Sequence, residues 1–146
     1  MREILFRGQT RRFGEKVWMN GEKVPSNWVY GGIFQGTGDF SVIYGADKED
    51  FTGSDLGKHT VYTDTVGQYT GLKDKNGKRI FEGDIVSFLW KMDEKTRNFF
   101  IEYSDGEFHA TPLHPAKDIW SIRINGYGEK FNVIGNIHDN PELLEV

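Results

Sequence analysis

The residues in this chain best suited to acid–base or metal chemistry are histidines close to a turn. His109 and His114 lie five positions apart across Pro112, and Asp105 and Glu107 precede them. Imidazoles and carboxylates can together bind a metal ion that activates water, so this group predicts a metal-assisted hydrolase as one function. The spacing matches no His-Glu-x-x-His motif, and the chain has no cysteine and no Gly-x-Ser-x-Gly turn. Enzymatic activity is therefore the least favoured function class, and ordinary histidines are the simpler interpretation.

A second group of carboxylates lies in the polar segment 45–57. Asp47, Glu49, Asp50 and Asp55 cluster there. Calcium takes six to eight oxygen ligands, and a carboxylate cluster can supply several of them. The spacing does not match an EF-hand loop, so the sequence predicts a mobile acidic loop, leaves cation binding by this loop open, and indicates no cofactor.

Basic residues are concentrated in two stretches, 7–12 and 73–79, of a chain whose net charge is −4. Nucleic-acid binders usually carry a basic surplus, because contacts with phosphates supply most of their non-specific affinity. If the two stretches meet in space, they predict a nucleic-acid-binding module. Its candidate contacts are the cations Arg7, Arg11, Arg12, Lys73, Lys75, Lys78 and Arg79. Solvated surface is the simpler interpretation, and nucleic acid is not the favoured partner.

Aromatic residues are more numerous than a small core readily buries. The candidate interface residues are Trp18, Trp28, Tyr30, Phe99, Phe100 and Trp120. Adjacent residues of a strand point to opposite faces, so Phe99 and Phe100 place one ring on the outer face of a sheet. The segment 112–118 could cover that ring. Otherwise the exposed rings predict a surface for self-association or for a partner protein.

Short β-branched and aromatic runs separated by glycine turns predict a mainly β fold. Strands are predicted at 2–7, 28–34, 40–44, 59–63, 85–90, 97–103, 107–111, 120–124 and 131–137, with a hairpin at 16–24. Helix is limited to short turns, one within 65–72, one after Pro115 and one that Asn140 begins at the C-terminus. The turn spacing predicts a small antiparallel barrel or sandwich in one domain, 1–146. The Gly-Asp-Ile-Val sequence at 83–86 favours an SH3-like part.

The stretch from Val66 to Val86, VGQYTGLKDKNGKRIFEGDIV, joins a glycine-rich entry, an Asn-Gly turn and a Glu-Gly-Asp turn. It resembles the central signature of the YopX family of phage and prophage proteins. The opening REILFRG and the ending VIGNIHDNPELL are similar to the same family, so the resemblance spans the chain. It implies origin in a temperate phage or prophage, and it carries over no catalytic residues.

Together these features predict a non-enzymatic phage accessory protein that acts by binding and self-association. A homo-oligomer is the expected state, and a host or phage protein is a further candidate partner. The absence of cysteine fits a reducing cytoplasm of the bacterial host. No apolar run is long enough to span a membrane, so no membrane association is expected.

Overall fold

The computed structural model describes residues 2–10, 28–45, 58–113 and 120–144. These residues form eleven strands in antiparallel pairs: β1 Phe6–Gln9, β2 Trp28–Phe34, β3 Phe40–Gly45, β4 Lys58–Tyr62, β5 Gly67–Lys73, β6 Arg79–Phe81, β7 Asp84–Trp90, β8 Lys95–Ser104, β9 Glu107–Pro112, β10 Ile122–Arg123 and β11 Phe131–Asn136. Short 3-10 turns occupy Thr63–Thr65, Gly128–Lys130 and Pro141–Leu144. The mainly β fold with little helix is confirmed.

The chain divides into two compact units, Met1–Gln68 and Tyr69–Val146. Strand β5 contributes residues to both units. Its first residues, Gly67 and Gln68, pair with β1, and its later residues pair with β6. The organisation as one domain stays a prediction.

The first unit is a sheet in the order β4-β3-β2-β1-β5. One face of the sheet is buried, and Ile43, Val61 and Ser41 lie at 0–2% exposure on it. Gly8 of β1 is needed on this face, because a Cβ there would lie 2.8 Å from the Val61 side chain. The buried face is therefore built from small and β-branched residues, which leaves larger residues for the opposite face.

Hydroxyl groups connect the 3-10 turn Thr63–Thr65 to the strands of the first unit. Thr65 Oγ1 accepts a hydrogen bond from the Gln9 backbone N–H at 2.9 Å and donates one to the Tyr62 carbonyl. Ser41 Oγ and Thr63 Oγ1 lie 2.8 Å apart. These bonds satisfy polar groups at a buried strand end, which would otherwise lack partners there.

The second unit contains a five-stranded sheet in the order β10-β9-β8-β7-β11. Its core contains Val86, Phe99, Ile101, Ala110, Ile124 and Phe131, and Ile80 from β6 packs with them. The two edge strands of this sheet, β10 and β11, are not paired with each other, so within the described residues the sheet is open. The barrel alternative is thus not what these residues form.

The Glu-Gly-Asp turn joins β6 to β7 through a glycine in the left-handed region. Gly83 has φ 91°, its N–H donates to the Ile101 carbonyl at 2.7 Å, and its carbonyl accepts from Ile137 N–H at 2.9 Å. The buried Asp84 carboxylate accepts a hydrogen bond from Phe81 N–H at 2.7 Å. A residue with a Cβ strains this backbone conformation, so glycine is required here.

The end of β11 is organised by two asparagines. Asn136 Oδ1 accepts hydrogen bonds from the N–H groups of His138 and Asp139, and Asn140 Oδ1 accepts one from Asn136 N–H at 3.1 Å. A Cβ on Gly135 would overlap the Asn140 side chain, so glycine leaves room for it. The predicted C-terminal helical turn is confirmed as a 3-10 turn. A hydrogen bond from the Leu143 N–H to the Asn140 carbonyl closes this turn.

Most predicted strands occur within a residue or two of their expected bounds, and two segments differ. The predicted strand 2–7 begins only at Phe6, where pairing with β2 begins, and Ile4 is 60% exposed. The predicted helical turn within 65–72 is wrong, because Gly67–Lys73 is strand β5 and the 3-10 turn precedes it. Strand pairing on both edges outweighs the local preference there. The hairpin at 16–24, the loop from 46 to 57 and the turn after Pro115 lie outside the described residues.

Candidate binding surfaces

The outer face of the first sheet carries four exposed aromatic rings, here called the aromatic face. Tyr30 and Phe34 lie on β2 and are 45% and 67% exposed, while Phe40 and Tyr44 lie on β3 and are 54% and 47% exposed. The residues alternate along each strand, and β2 and β3 pair with Gly32 opposite Tyr44, so all four rings project from the same side. This arrangement places aromatic surface in contact with water.

The edges of the aromatic face hold further aromatic contacts. The rings of Phe40 and Tyr62 lie 5.1 Å apart. Arg7 pairs with Tyr30 across the strands, and its guanidinium lies 4.5 Å from the centroid of the Trp28 ring. Apart from its chain neighbours, no residue in the described part of the chain lies within 4 Å of the position that a Cβ on Gly32 would take. The face therefore has an open centre and a cation–π pair at its β1 side.

In the second unit, a buried carboxylate holds the turn between β5 and β6. Asp74 Oδ1 accepts hydrogen bonds from the N–H groups of Asn76 and Lys78 at 2.8 and 2.9 Å, and Oδ2 accepts one from Val133 N–H at 3.0 Å. Burial raises the pKa of Asp74, but the three backbone hydrogen bonds and the charge of Lys78 together lower it by more, so its pKa lies below the ordinary 3.8. The Asp74 carboxylate therefore serves a structural role, since its oxygens accept hydrogen bonds from three backbone N–H groups.

Four cations lie exposed around this turn, here called the basic hairpin: Lys73, Lys75, Lys78 and Arg79. A cleft of about 780 Å³ lies beside it, lined by Lys73 and Lys75 and by several glycines of the hairpin and of the turn near 126–128. A Cβ on Gly128 would lie 2.9 Å from the Lys73 carbonyl oxygen, so glycine permits this close approach. Glu129 also lines the cleft and opposes its positive charge.

A second cleft in the same unit is apolar and holds about 480 Å³; it is here called the Phe88 groove. Its apolar lining residues are Phe88, Leu89, Trp90, Met92, Ile122 and Tyr127. Its charged lining residues are Lys91 and Lys130. The groove is formed where β7 ends, beside the short strand β10 and the 3-10 turn Gly128–Lys130.

The predicted hydrolase residues lie partly on β9. His109 Nε2 lies 3.4 Å from Glu107 Oε1, and Arg123 Nε on the adjacent strand lies 3.1 Å from the same oxygen. Asp105 is an exposed turn residue at φ 53°, and His114 lies outside the described residues. Across residues 2–10, 28–45, 58–113 and 120–144, no three His, Asp or Glu side chains are grouped so that they could hold a metal ion.

Comparison with known proteins identifies a family whose match includes the central signature. The model of the YopX family, described as YopX protein, matches residues 22–145. The chain belongs to the YopX family. No curated protein matches it. Among solved structures, it is similar to the protein EF1440 from Enterococcus faecalis, with 37% sequence identity and a TM-score of 0.40, and the match covers 64% of this chain and 73% of that chain.

In this YopX-family chain the predicted interface residues occupy different environments. Trp28 and Tyr30 lie beside and within the aromatic face. Phe99 is fully buried in the core of the second unit, whereas Phe100 lies half-buried on the opposite face of the sheet, so only Phe100 of this pair reaches a surface. Trp120 is 86% exposed, and Trp18 lies outside the described residues.

The predicted nucleic-acid contacts do not form one group among the described residues. Arg7 is 5% exposed and lies over Trp28, in the first unit. Arg11 and Arg12 lie outside the described residues. The remaining four cations form the basic hairpin of the second unit.

Sequence reasoning missed Phe34, Phe40 and Tyr44 of the aromatic face. Their alternate spacing with Tyr30, in YGGIF and FSVIY, is the signal that could have found them. The Phe88 groove was missed as well, and it has no local signal because its residues come from three separate segments. In the described ranges, no helical segment has the length and hydropathy that a bilayer span requires.

Proposed function

We propose that this YopX-family protein is a phage or prophage accessory protein of the bacterial cytoplasm that acts by binding, and that two copies associate through the aromatic face. The observation that carries the proposal is the cluster of Tyr30, Phe34, Phe40 and Tyr44 at 45–67% exposure on one side of a sheet. Contiguous exposed apolar surface on a folded protein marks an interaction site. Aromatic residues are also enriched at the centres of protein interfaces.

A second copy is the occupant that best fits the chemistry of this face. Its four rings bear no charge, so they present the same kind of surface throughout, and aromatic rings pair favourably with one another in offset or edge-to-face geometry. Two such sheets can stack face to face about 10 Å apart around a two-fold axis. The interface is then made of the same patch on both copies.

The area of the face shows how much of an interface its rings can supply. An aromatic side chain buries roughly 150–250 Å² in full, so four half-exposed rings offer about 300–500 Å². A standard interface buries about 800 Å² on each partner. The rings therefore supply about half of a standard interface, and we expect a dimer that dissociates on dilution.

The test is sedimentation velocity over a wide range of protein concentration. The wild type should shift from monomer to dimer as concentration rises, and the double variant Phe34→Ser/Tyr44→Ser should stay monomeric with an unchanged circular dichroism spectrum. Leu89→Ser is the matched control, because Leu89 is 54% exposed but lies in the second unit. A wild type that is monomeric at every concentration, or a double variant that dimerises like the wild type, contradicts the proposal.

Nucleic-acid binding by the basic hairpin is the second candidate function. It is favoured by one observation, that Lys73, Lys75, Lys78 and Arg79 are exposed while the adjacent Asp74 carboxylate is buried in backbone hydrogen bonds. Cations in this arrangement can contact successive phosphates, and the binding should weaken steeply with salt.

A gel-shift experiment at low salt tests this second function with single- and double-stranded DNA and RNA. Retardation that Lys75→Gln/Lys78→Gln weakens, and that Lys58→Gln/Lys91→Gln does not, supports it. Lack of retardation of all four nucleic acids contradicts it.

A further inference from the structure

We propose that the Phe88 groove binds a small amphipathic anion, with an apolar chain or ring lying against Phe88 and a carboxylate or sulfate head held by Lys91 and Lys130. This site lies in the second unit and is separate from the aromatic face of the first unit. The proposal does not depend on self-association.

The floor of the groove is a preorganised aromatic cluster. The Phe88 ring makes edge contacts with the rings of Trp90 and Tyr127, at centroid distances of 5.9 and 6.2 Å, and a tilted contact with the Phe131 ring at 5.4 Å. Phe131 is fully buried, and Phe88 packs against the core cluster. A ligand that enters the groove therefore meets an apolar surface whose shape is already set by the core, which reduces the ordering cost of binding.

The size of the groove suits a small molecule. Its volume of about 480 Å³ lies within the range of roughly 300–1,000 Å³ that is usual for ligand pockets. Such pockets combine mainly apolar and aromatic lining with a few polar groups that orient the ligand. The Phe88 groove has this composition, since its lining among the described residues is apolar except for the two lysines.

The charge of the groove selects an anion. Lys91 and Lys130 both line it, and the Lys130 ammonium lies 5.4 Å from the centroid of the Tyr127 ring, at the side of the apolar surface. Asp93, which follows the lining residue Met92 in the chain, is an ionised carboxylate whose charge is paired, because both of its oxygens accept hydrogen bonds from the Arg97 guanidinium. An anionic head can thus meet ammonium groups while its apolar part is removed from water.

The test uses decanoate as the probe, below its micelle concentration, with decanol and decyltrimethylammonium as neutral and cationic matches. The readout is the indole N–H signal of Trp90 in a proton–nitrogen NMR spectrum, assigned with the Trp90→Phe variant. Decanoate should shift this signal saturably and bind about tenfold more tightly than decanol, because charge-assisted hydrogen bonds add to the same apolar contact. The cationic match should bind more weakly than decanol.

Variants separate the role of the lysines from that of the apolar floor. Lys91→Gln/Lys130→Gln should reduce decanoate affinity about tenfold and leave decanol affinity unchanged, whereas Lys58→Gln in the first unit should change neither. Phe34→Ser/Tyr44→Ser should bind decanoate like the wild type, so failure of self-association does not affect this result. Equal affinity for decanoate and decanol, a shift confined to other tryptophans, or no saturable shift overturns the proposal.

Discussion

The two sheets of this protein use aromatic rings in opposite ways. In the second unit, the inward positions of the five-stranded sheet hold Phe99 and Phe131, both fully buried in the core. In the first unit, the buried face holds Ile43, Val61 and Ser41, while the rings occupy the outward positions and remain about half exposed. A sheet of the usual kind buries its largest apolar residues and exposes polar ones. The first sheet instead buries smaller apolar residues and exposes its aromatic rings.

The recognisable family signature and the candidate binding surface lie in different parts of the chain. The signature of the YopX family falls mainly on β5, β6 and β7, where Asp74, Gly83 and Asp84 are occupied in hydrogen bonds to the backbone. These residues specify the fold of the hairpin and of the following strand. The exposed rings of Phe34 and Phe40 lie outside this signature, on the face for which we propose self-association.

The largest difference in unfolding free energy is expected when one aromatic ring is removed from each sheet. Phe99→Ala should lower the free energy of unfolding by about 4 kcal/mol, because it leaves a cavity in the core, whereas Phe34→Ala should change it by about 0.5 kcal/mol or less. Urea titration followed by circular dichroism at low protein concentration measures both. Similar losses for the two variants would mean that the aromatic face is part of a core and not a surface.

The next test compares a buried and an exposed carboxylate. Asp74→Ala should lower the free energy of unfolding by about 3 kcal/mol, since three backbone N–H groups lose their acceptor at a site that is 3% exposed. Asp39→Ala in the first unit serves as the control, because Asp39 is exposed, and it should have little effect. A small loss for Asp74→Ala would show that water or another group can replace the carboxylate.

Two adjacent glycines distinguish the faces of the first sheet. A Cβ on Gly31 would overlap the Tyr44 carbonyl, so Gly31→Ala should cost about 2–3 kcal/mol through displacement of β3. Gly32 points to the open aromatic face, so Gly32→Ala should be neutral or should stabilise the fold by about 0.5 kcal/mol. Thermal unfolding of the two variants measures the difference. Equal effects would show that β2 does not have one closed and one open face.

The smallest expected effect is the acid sensitivity of the Asp74 turn. Because the pKa of Asp74 is lowered in the folded state, its stabilising contribution is complete above the ordinary carboxyl pKa and is lost as the pH falls through the folded-state value. The difference in unfolding free energy between wild type and Asp74→Asn should therefore be constant near neutral pH and should shrink below about pH 4. A difference that grows on acidification would contradict the direction of the shift.

The sequence predicted the strands and turns whose residue types act locally. Asp105-Gly106 forms the turn between β8 and β9 with φ values of 53° and 80°, as a two-residue hairpin requires. The strand Trp28–Phe34 was expected with the bounds that it has. The strand Gly67–Lys73 was not, because its two glycines weaken any local preference and its pairing partners lie far along the chain.

The candidate sites were harder to predict than the strands, because each depends on residues that the sequence keeps apart. Phe99 and Phe100 were correctly expected on opposite faces, but which face was buried depended on the strands that pack there. Arg7 has the positive charge expected of a nucleic-acid contact. In the structure, however, its guanidinium lies over the ring of Trp28, which belongs to another strand.

The sequence alone determined the mainly β class, the positions of the glycine turns and membership of the YopX family, because residue type, spacing and motif are local properties of the chain. Tertiary structure alone decided that Asp74 serves the backbone, that the rings of the first sheet face water, and that Phe88, Tyr127 and Lys130 line one groove. The physical reason is that burial and the sharing of a cleft depend on contacts between distant segments, and the same residue type can occupy either side of a sheet.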